Sequence, residues 1–167
     1  MSTLLSSLRP ETTSAPASGI VELAKYARQV EGVIQLWVGE GDQPTPPFIM
    51  EAATRSLAAG ETFYTSQRGI PDLREALARY ASKLYGRELS SERFLVTGSG
   101  MHAIHLCMAM VAGPGDEVII PSPAWPNAPA AVGLQGARAV DLPMRTGNRG
   151  PMLDLEELAA AVTPRTK

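Results

Sequence analysis

The sequence predicts an α/β fold in which helices cover a mostly parallel sheet. Apolar helical repeats alternate with short β-branched runs, and glycine- and proline-rich turns join the two kinds of segment. One glycine turn follows a predicted strand and opens the next helix. This order is typical of crossover units, in which consecutive strands run parallel and a helix connects them.

The clearest crossover unit lies between residues 93 and 121. A strand is predicted at 93–97, a turn at 98–100, a helix at 101–112 and a second, buried strand at 117–121. Ile104, Met108 and Val111 are spaced to face the core from the helix. The four residues 113–116, Gly-Pro-Gly-Asp, end the helix and turn the chain.

The turn at 98–100 has the properties of a phosphate site. The first backbone N–H groups of a helix have no acceptor inside it and lie at the positive end of its dipole, so they bind anions. Gly98 and Gly100 leave the approach to these N–H groups free of Cβ atoms. We therefore expect a phosphate-bearing ligand at this turn.

Two kinds of ligand fit this turn. Residues 98–103 match the dinucleotide pattern G-x-G-x-x-G/A, but a dinucleotide also needs an acidic residue at the end of the second strand. Asp116 and Glu117 stand at the beginning of that strand, and Trp125 follows its end. The indole either packs under its proline-rich loop or stacks on a planar ring. A phosphate with a planar ring describes pyridoxal phosphate (PLP), the ligand that we favour.

Five segments together resemble the amino-terminal part of class I/II aminotransferases, the PLP enzymes of the aspartate aminotransferase fold (fold type I). The resemblance runs from about residue 20 to residue 167, and the order and spacing of the segments also fit. It implies the first half of a three-layer α/β/α large domain, preceded by an arm and a small-domain segment. The segments are 36–44 (LWVGEGDQP), 64–74 (YTSQRGIPDLR), 96–103 (VTGSGMHA), 113–118 (GPGDEV) and 123–127 (PAWPN).

The resemblance implies which residues bind the cofactor. Ser99, Gly100 and Met101 would hold the PLP phosphate, largely through backbone N–H groups, and Trp125 would stack on the pyridine ring. Many relatives have a hydroxyl or a lysine where this chain has Met101, so one side-chain contact to the phosphate is expected to be missing.

The resemblance also implies partners. An amino acid and a 2-oxo acid would be the substrates, and Gly39 would lie beside the substrate carboxylate. Tyr64 would reach the phosphate bound by a neighbouring subunit, which implies a homodimer. No nucleic acid or membrane is expected as a partner.

The lysine that forms the Schiff base with PLP in this family is not matched. The chain has only Lys25, Lys83 and Lys167, and none stands where the family lysine does, after a strand well downstream. We therefore expect no catalytic residue within this chain and a lysine beyond residue 167. The chain would then supply half of an active site. A PLP-dependent lyase (β-lyase or cyclopropane-forming) and a non-catalytic regulatory or interaction module remain alternatives.

The remaining segments give the expected organisation. It consists of a flexible arm at 1–18, a small-domain and substrate-loop segment at 19–45, and the first part of the large domain at 46–167. Isolated, such a chain would leave apolar helix faces and sheet edges unpaired. Further helices are predicted at 19–31, 48–59, 71–84 (core positions Leu73, Leu77, Tyr80 and Leu84) and 155–162, a loop at 60–69, a strand at 137–142, and the lead into another strand at 164–167.

Composition indicates a cytoplasmic protein. The net charge of −2 and the 19% charged residues do not suit binding to nucleic acid or to an anionic membrane, and no signal peptide or membrane span is visible. The single cysteine, Cys107, is interpreted as a buried apolar filler. His102 and His105 lack a third ligand at metal spacing, so no metal site is predicted.

Two sets of charged residues are interpreted as structural. Arg68, Arg74 and Arg79 are expected to be surface charges balanced by Glu61, Asp72 or Glu75. The neighbouring acids at 116 and 117 are expected to serve the turn before the strand, as turn and cap, rather than acid/base chemistry.

Overall fold

The computed structural model describes residues 4–148 and 150–167. They form two compact units, one built from the residues up to Val33 together with Ser99–Lys167, and the other from Ile34–Gly98. Residues 1–3 of the predicted arm lie outside the described residues. The predicted segment boundaries at 18, 45 and 167 stay predictions.

The elements alternate between helices and short strands. Single 3-10 turns lie at Leu5–Ser7 and Ser91–Arg93. In chain order the elements are α1 (Pro10–Thr13), α2 (Gly19–Ala27), α3 (Pro47–Ala58), α4 (Pro71–Tyr85), α5 (Gly100–Val111), β1 (Glu117–Ser122), α6 (Asn127–Gly133), β2 (Arg138–Pro143), β3 (Arg145–Gly147), β4 (Gly150–Met152) and α7 (Leu155–Ala161).

The first unit contains a parallel sheet. β1 pairs with β2 in parallel, with Glu117 opposite Arg138 at one end and Ser122 opposite Pro143 at the other. On its other side Glu117 forms a parallel bridge with Thr166, since its N–H donates to the Arg165 carbonyl (2.9 Å) and its carbonyl accepts from Lys167 N (3.0 Å). The predicted strands at 117–121 and 137–142 are confirmed, and so is the lead into another strand at 164–167.

The turn between α5 and β1 also forms as predicted. The Asp116 carboxylate accepts a hydrogen bond from the Gly113 N–H (3.0 Å), and Gly115 has a φ of +91°. A side chain at that φ would be strained, which explains the glycine. The turn leads directly into the β-branched run of β1.

Several short elements of the first unit were not predicted: α1 and the 3-10 turn in the predicted arm, α6, and the hairpin of β3 and β4. α6 contains a proline and ends at Gly133, so its sequence carries little helical signal. The hairpin of β3 and β4 has three residues in each strand, with Arg145 opposite Met152. Strands of that length are too short to show an alternating pattern.

The second unit is helical in its regular parts. α4 begins with Pro71 in its first turn and ends before Gly86, whose φ is +63°, as the sequence predicts. Three of the four predicted core positions are wrong, because Leu73, Tyr80 and Leu84 are exposed, whereas Leu77 is half-buried. The buried side of α4 carries small alanines at 78 and 81 together with Arg74, and α4 packs against the 3-10 turn of Ser91–Arg93.

The predicted strand at 93–97 does not form among the described residues. Arg93 ends the 3-10 turn, and residues 94–97 are not part of a strand, although Phe94 is extended with φ −112° and ψ 136°. Val96 N donates one hydrogen bond, to the carbonyl of Arg68 (3.0 Å). β-branched residues favour an extended chain, but a strand also requires a neighbouring strand.

The buried core consists mostly of small side chains. Its members Ala27, Ala131, Val132 and Leu142 are buried, whereas many larger apolar side chains are exposed. Cys107 is exposed rather than a buried filler. The sequence interpretation assumed that other elements pack over the side of α5 that carries Cys107, and the exposure of Cys107 shows that this side is not buried. Among the residues described, no helix is long and apolar enough to cross a membrane.

Candidate functional site

The first turn of α5 carries the predicted phosphate site. Ser99 is the N-cap: it is extended, with φ −165° and ψ 163°, and its hydroxyl accepts a hydrogen bond from His102 N (3.1 Å). Its carbonyl accepts from Ala103 N (3.1 Å). Serine is favoured here because its short side chain reaches the helix N–H groups that lack a carbonyl. The cap fixes the start of α5 immediately before Gly100.

Two donors at this turn are open. Among the described residues, no acceptor is found for the backbone N–H groups of Gly100 and Met101. A Cβ added at Gly100 would have no heavy atom within 4 Å, so the approach to these groups is unobstructed. Because both N–H groups lie at the positive end of a 12-residue helix, the turn fits an anion such as a phosphate monoester.

Trp125 belongs to the same unit. It lies in the loop between the end of β1 at Ser122 and the start of α6, and 47% of its surface is exposed. The Ser122–Pro123 peptide bond is cis, and the Trp125 carbonyl accepts from Ala128 N (3.2 Å). The indole therefore follows the carboxyl end of a parallel strand, where ligands of open α/β sheets bind.

The open N–H groups and Trp125 lie next to two helices, α5 and α6, that are in contact. α5 packs against α6, and the side chains of His105 and Gln135 approach to 3.4 Å between Nδ1 and Nε2. The first turn of α5 holds the open N–H groups, and the loop preceding α6 holds the indole. That they face one ligand stays a prediction.

The other two predicted site residues lie in the second unit. Tyr64 is fully exposed in the loop between α3 and α4, with a relative exposure of 107%. Gly39 lies in a segment without regular structure, and a Cβ there would meet no heavy atom within 4 Å. Both residues are accessible, and their roles stay predictions.

The arginines that follow Tyr64 correct the sequence interpretation. Arg74 is buried, with 9% exposure, and pairs with Glu92 at 2.9 Å rather than with Asp72 or Glu75. Arg68 pairs with the same carboxylate. Hydrogen bonds from Arg74, and then from Arg68, hold the pKa of Glu92 below its usual value. Of the three arginines, only Arg79 is a surface charge paired within its own helix, at 4.0 Å from Glu75.

Glu117 was also misinterpreted, because it does not serve a turn. Its side chain is buried, with 1% exposure, at the amino end of β1. It accepts hydrogen bonds from Arg138 (2.7 Å), Arg165 Nε (3.0 Å) and the Thr163 hydroxyl (2.7 Å). These bonds, that of Arg138 first, lower the pKa of Glu117 to about 2. The network lies at the opposite end of β1 from Trp125, so its role is structural.

Both buried charges carried weak sequence signals. Arg74 shares a helix side with Ala78 and Ala81, at spacings of four and seven, and small residues at that spacing allow close packing. Glu117 stands at the start of an otherwise apolar strand. A charged residue in such a place needs partners from distant segments.

Comparisons with known proteins agree on one family. The family model described as aminotransferase class I and II matches residues 31–167. An aspartate aminotransferase of Pyrococcus horikoshii is 37% identical over 150 residues, which cover 90% of this chain and 38% of that protein. An aspartate/prephenate aminotransferase of Thermus thermophilus is 36% identical over 167 residues, covering 100% of this chain and 42% of that protein. The chain thus spans about two fifths of the length of these relatives.

Solved structures show the same fold. The aspartate aminotransferase of Thermotoga maritima matches with a TM-score of 0.85 and 32% identity, over 96% of this chain and 44% of that chain. The aspartate aminotransferase of Thermus thermophilus, solved with maleate, matches with a TM-score of 0.86 and 35% identity, over 96% and 43% of the two chains.

The chain that matches these relatives has an α/β architecture. Its strands β1 and β2 pair in parallel, and its helix α5 begins at a serine cap. Enzymes of this group generally depend on pyridoxal phosphate, and the resemblance noted in the sequence is confirmed. Because the family model covers most of the residues, this chain belongs to the aminotransferase class I and II family.

Proposed function

We propose that this chain is the amino-terminal part of a PLP-dependent aminotransferase, which transfers an amino group between an amino acid and a 2-oxo acid. The observation that carries the proposal is the Ser99-capped start of α5, with two open N–H donors, in a chain of this family. The first unit would supply one side of the cofactor site. The rest of the site would come from the remainder of the full-length protein.

The phosphate would be held by the backbone. Gly100 and Met101 would each donate an N–H to a phosphate oxygen, because these two groups have no acceptor among the described residues. The Ser99 hydroxyl accepts from His102 N and so holds the start of α5 in place for these two donors. The thioether of Met101 adds no donor. Binding at this end therefore depends on backbone geometry and helix dipole.

Trp125 would cover one face of the cofactor ring. Prolines at 121, 123 and 126 restrict its loop, so little conformational entropy would be lost when the indole stacks. When bound, the PLP ring supplies the electron sink that aminotransferase chemistry needs, and the protein supplies binding and orientation.

Tyr64 and Gly39 would complete contacts outside the first unit. The exposed Tyr64 phenol would donate a hydrogen bond to the phosphate bound by a neighbouring subunit, so the active protein would be a homodimer. Gly39 would leave room for the substrate carboxylate, since no heavy atom of the described residues lies within 4 Å of the position of its absent Cβ.

The lysine that bonds to PLP would come from sequence after residue 167. Lys25 is on α2, Lys83 is in the last turn of α4, and Lys167 lies 3.6 Å from Asp116 at the end of β1 distant from Trp125. None of the three is at the carboxyl end of a strand of the described sheet.

The substrate is proposed only as a chemical class. Relatives of similar identity are named for aspartate, for prephenate and for arginine with pyruvate. Amino acids and 2-oxo acids are what these names share.

Two substitutions in the full-length protein would test the phosphate site. Met101→Pro deletes one N–H donor, and proline is tolerated in a first helical turn, whereas Met101→Ala keeps the donor. We expect Met101→Pro to weaken PLP binding about tenfold or more, because hydrogen bonds to charged groups contribute about 1.5–3 kcal/mol. Met101→Ala should leave PLP binding nearly unchanged. Equal affinity of the two variants would contradict the assignment.

Activity would be tested on the same protein. Loaded with PLP, it should show a visible absorbance band that borohydride bleaches. An added amino acid should convert this band, and a 2-oxo acid should restore it. Release of ammonia without restoration by the 2-oxo acid would instead indicate a lyase, and no PLP binding at all would overturn the proposal.

A further inference from the structure

The loop that presents Tyr64 is fixed at both ends within the second unit. At its upstream end, the Glu61 carboxylate accepts from the Ser56 hydroxyl (2.6 Å), and Glu61 N donates to the Ser56 carbonyl (3.1 Å). At its downstream end, Gly69 N closes a turn onto the Ser66 carbonyl (2.9 Å). The residues between these anchors, with the fully exposed Tyr64, project from them.

The downstream end is also held against the segment that contains Val96. The Arg68 carbonyl accepts from Val96 N at 3.0 Å. Gly69, with φ +100°, leaves so little space that an added Cβ would lie 2.5 Å from Val96 Cγ2. The backbone at 68–69 is therefore fixed four to five residues after Tyr64.

A charged cluster, which we call the Glu92 clamp (Arg68, Arg74 and Glu92), holds the same place through side chains. One carboxylate oxygen of Glu92 binds Arg74 Nη2 at 2.9 Å, and the other binds Arg68 Nη1. Arg68 Nη2 also donates to the Glu92 carbonyl. Glu92 thus joins the end of the Tyr64 loop to α4.

Arg74 makes the clamp rigid. It is buried, and besides Glu92 it donates to the carbonyls of Phe94 (3.0 Å) and Ser91 (2.8 Å). A buried guanidinium with three acceptors is held in one geometry, and it orients the Glu92 carboxylate, whose side chain is 69% exposed. Without the Glu92 carboxylate, Arg68 would lose its ion pair and its link to Arg74, and its side chain would keep only the hydrogen bond to the Glu92 carbonyl.

We propose that Glu92 is a positioning residue for Tyr64: by holding Arg68 against Arg74, it fixes the loop that presents the phenol to the neighbouring subunit's cofactor phosphate. This inference rests on the proposed function, because it takes from it the contact between Tyr64 and the phosphate. It adds that three charged residues outside the cofactor site set the geometry of that contact.

A double-mutant cycle in the full-length homodimer tests the proposal. We expect Glu92→Gln to weaken PLP binding by about 3- to 10-fold, and Tyr64→Phe to weaken it by at least as much. Combined with Tyr64→Phe, Glu92→Gln should cost no further affinity, because the group that it positions is already gone. The phosphorus-31 NMR shift of bound PLP should change in both single variants.

Glu75→Gln is the matched control, since Glu75 pairs with an arginine on the surface of the same helix, at 4.0 Å. It should leave PLP affinity unchanged. If Glu92→Gln fails to fold, as judged by circular dichroism, Arg68→Lys replaces it, since lysine keeps the charge but cannot contact the carboxylate and the carbonyl of Glu92 together.

Three results would overturn the inference. Unchanged affinity in the clamp variants would show that the clamp does not position Tyr64, and additive losses in the double variant would show that it acts by another route. No loss in Tyr64→Phe alone would remove the phosphate contact itself. That last result contradicts the proposed role of Tyr64, whereas the first two leave that role intact.

Discussion

Glu117 shows how one side chain can join three segments of the first unit. Its carboxylate binds Arg138 of β2, together with Arg165 and Thr163 of the segment that pairs on the other side of β1. A buried charge is tolerated only when it is paired and hydrogen-bonded, and Glu117 meets both conditions.

The lowered pKa of Glu117 predicts a pH dependence of stability. The group has a pKa of about 2 in the folded protein and an ordinary value of 4.5, so the unfolded chain takes up the proton first. Its contribution to the free energy of unfolding is therefore fully present above pH 4.5 and is lost as the pH falls towards 2. We expect Glu117→Gln to lower the urea midpoint of the full-length protein at pH 7.

The same experiment at low pH contains its own check. Near pH 2 about half of the folded molecules carry a proton on Glu117 and most of the stabilisation by its charge is lost, so the two midpoints should approach each other. Glu22→Gln, a change at an exposed residue of α2, is the control and should move the midpoint little at either pH. A midpoint difference that stays constant from pH 7 to pH 2 would contradict the role of the Glu117 charge.

Single residues also show where sequence reasoning stops. Trp125 and Gly100 were predicted as site residues from their positions after predicted strands, of which the one before Trp125 forms and the one at 93–97 does not form among the described residues. The partners of Arg74 and Glu117 lie 17 to 48 positions away in sequence, so no local pattern could pair them. Cys107 was assigned to the core from its residue type alone, although exposure depends on which elements cover α5.

Among the elements, the turn before α4 depends on a glycine with little space. We predict that Gly69→Ala lowers the free energy of unfolding by about 2 kcal/mol or more. The new Cβ would lie 2.5 Å from Val96 Cγ2, and the φ of +100° would be strained for alanine. Urea unfolding of the full-length protein would measure this loss.

Gly60→Ala separates the two causes of that loss. Gly60 has a φ of +75°, but a Cβ there would meet no heavy atom within 4 Å. It should therefore show only the cost of the backbone conformation, about 1–2 kcal/mol. Equal losses for Gly60→Ala and Gly69→Ala would mean that the contact with Val96 contributes nothing.

The start of α5 offers a second test at this scale. Ser99→Ala removes the oxygen that accepts from His102 N, and the free energy of unfolding should fall by about 1 kcal/mol. Ser99→Thr retains a hydroxyl at the N-cap and should lose less. If both substitutions cost the same, the loss would come from something other than the cap.

Elements with clear end signals were predicted well. α4 has a proline at its start and a glycine after its end, and α5 has a serine cap, so the bounds of both were found to within one residue. The strand predicted at 93–97 failed because its residue types specify an extended chain and not a partner. The hairpin of β3 and β4 and the helix α6 are short and lack such signals.

At the level of the whole molecule, exposed apolar surface is the main feature. Large side chains that a folded domain usually covers are exposed, among them Leu36, Phe48, Phe63, Leu84 and Met110. The sequence interpretation expected such unpaired apolar faces in a chain with half a site. The family and the fold were predictable because they depend on several separated motifs at once.

The exposed apolar surface predicts that copies of the isolated chain associate with one another. We expect a protein consisting of residues 1–167 alone to elute from size-exclusion chromatography at a mass that rises with concentration, and to melt with weak cooperativity by circular dichroism. Addition of a fragment with the rest of the full-length sequence should reduce the association, whereas an unrelated protein should not. A compact monomer with one sharp transition would contradict this expectation.

The position of Pro121 in β1 has a geometric consequence. The backbone N–H and C=O groups of successive residues in a strand point to opposite sides. Those of Glu117 point towards Thr166. The carbonyls of Asp116 and Ser122 point towards β2, where they accept from Arg138 N and Met144 N, respectively. Pro121 therefore points to the Thr166 side, and its missing N–H does not interrupt the β1–β2 ladder. A strand advancing from Lys167 along β1 can be bonded through Ile119 but finds no donor at residue 121. β1 and the strand that continues from Lys167 can therefore separate at residue 121. This point lies one residue before β1 ends and the loop of Trp125 begins.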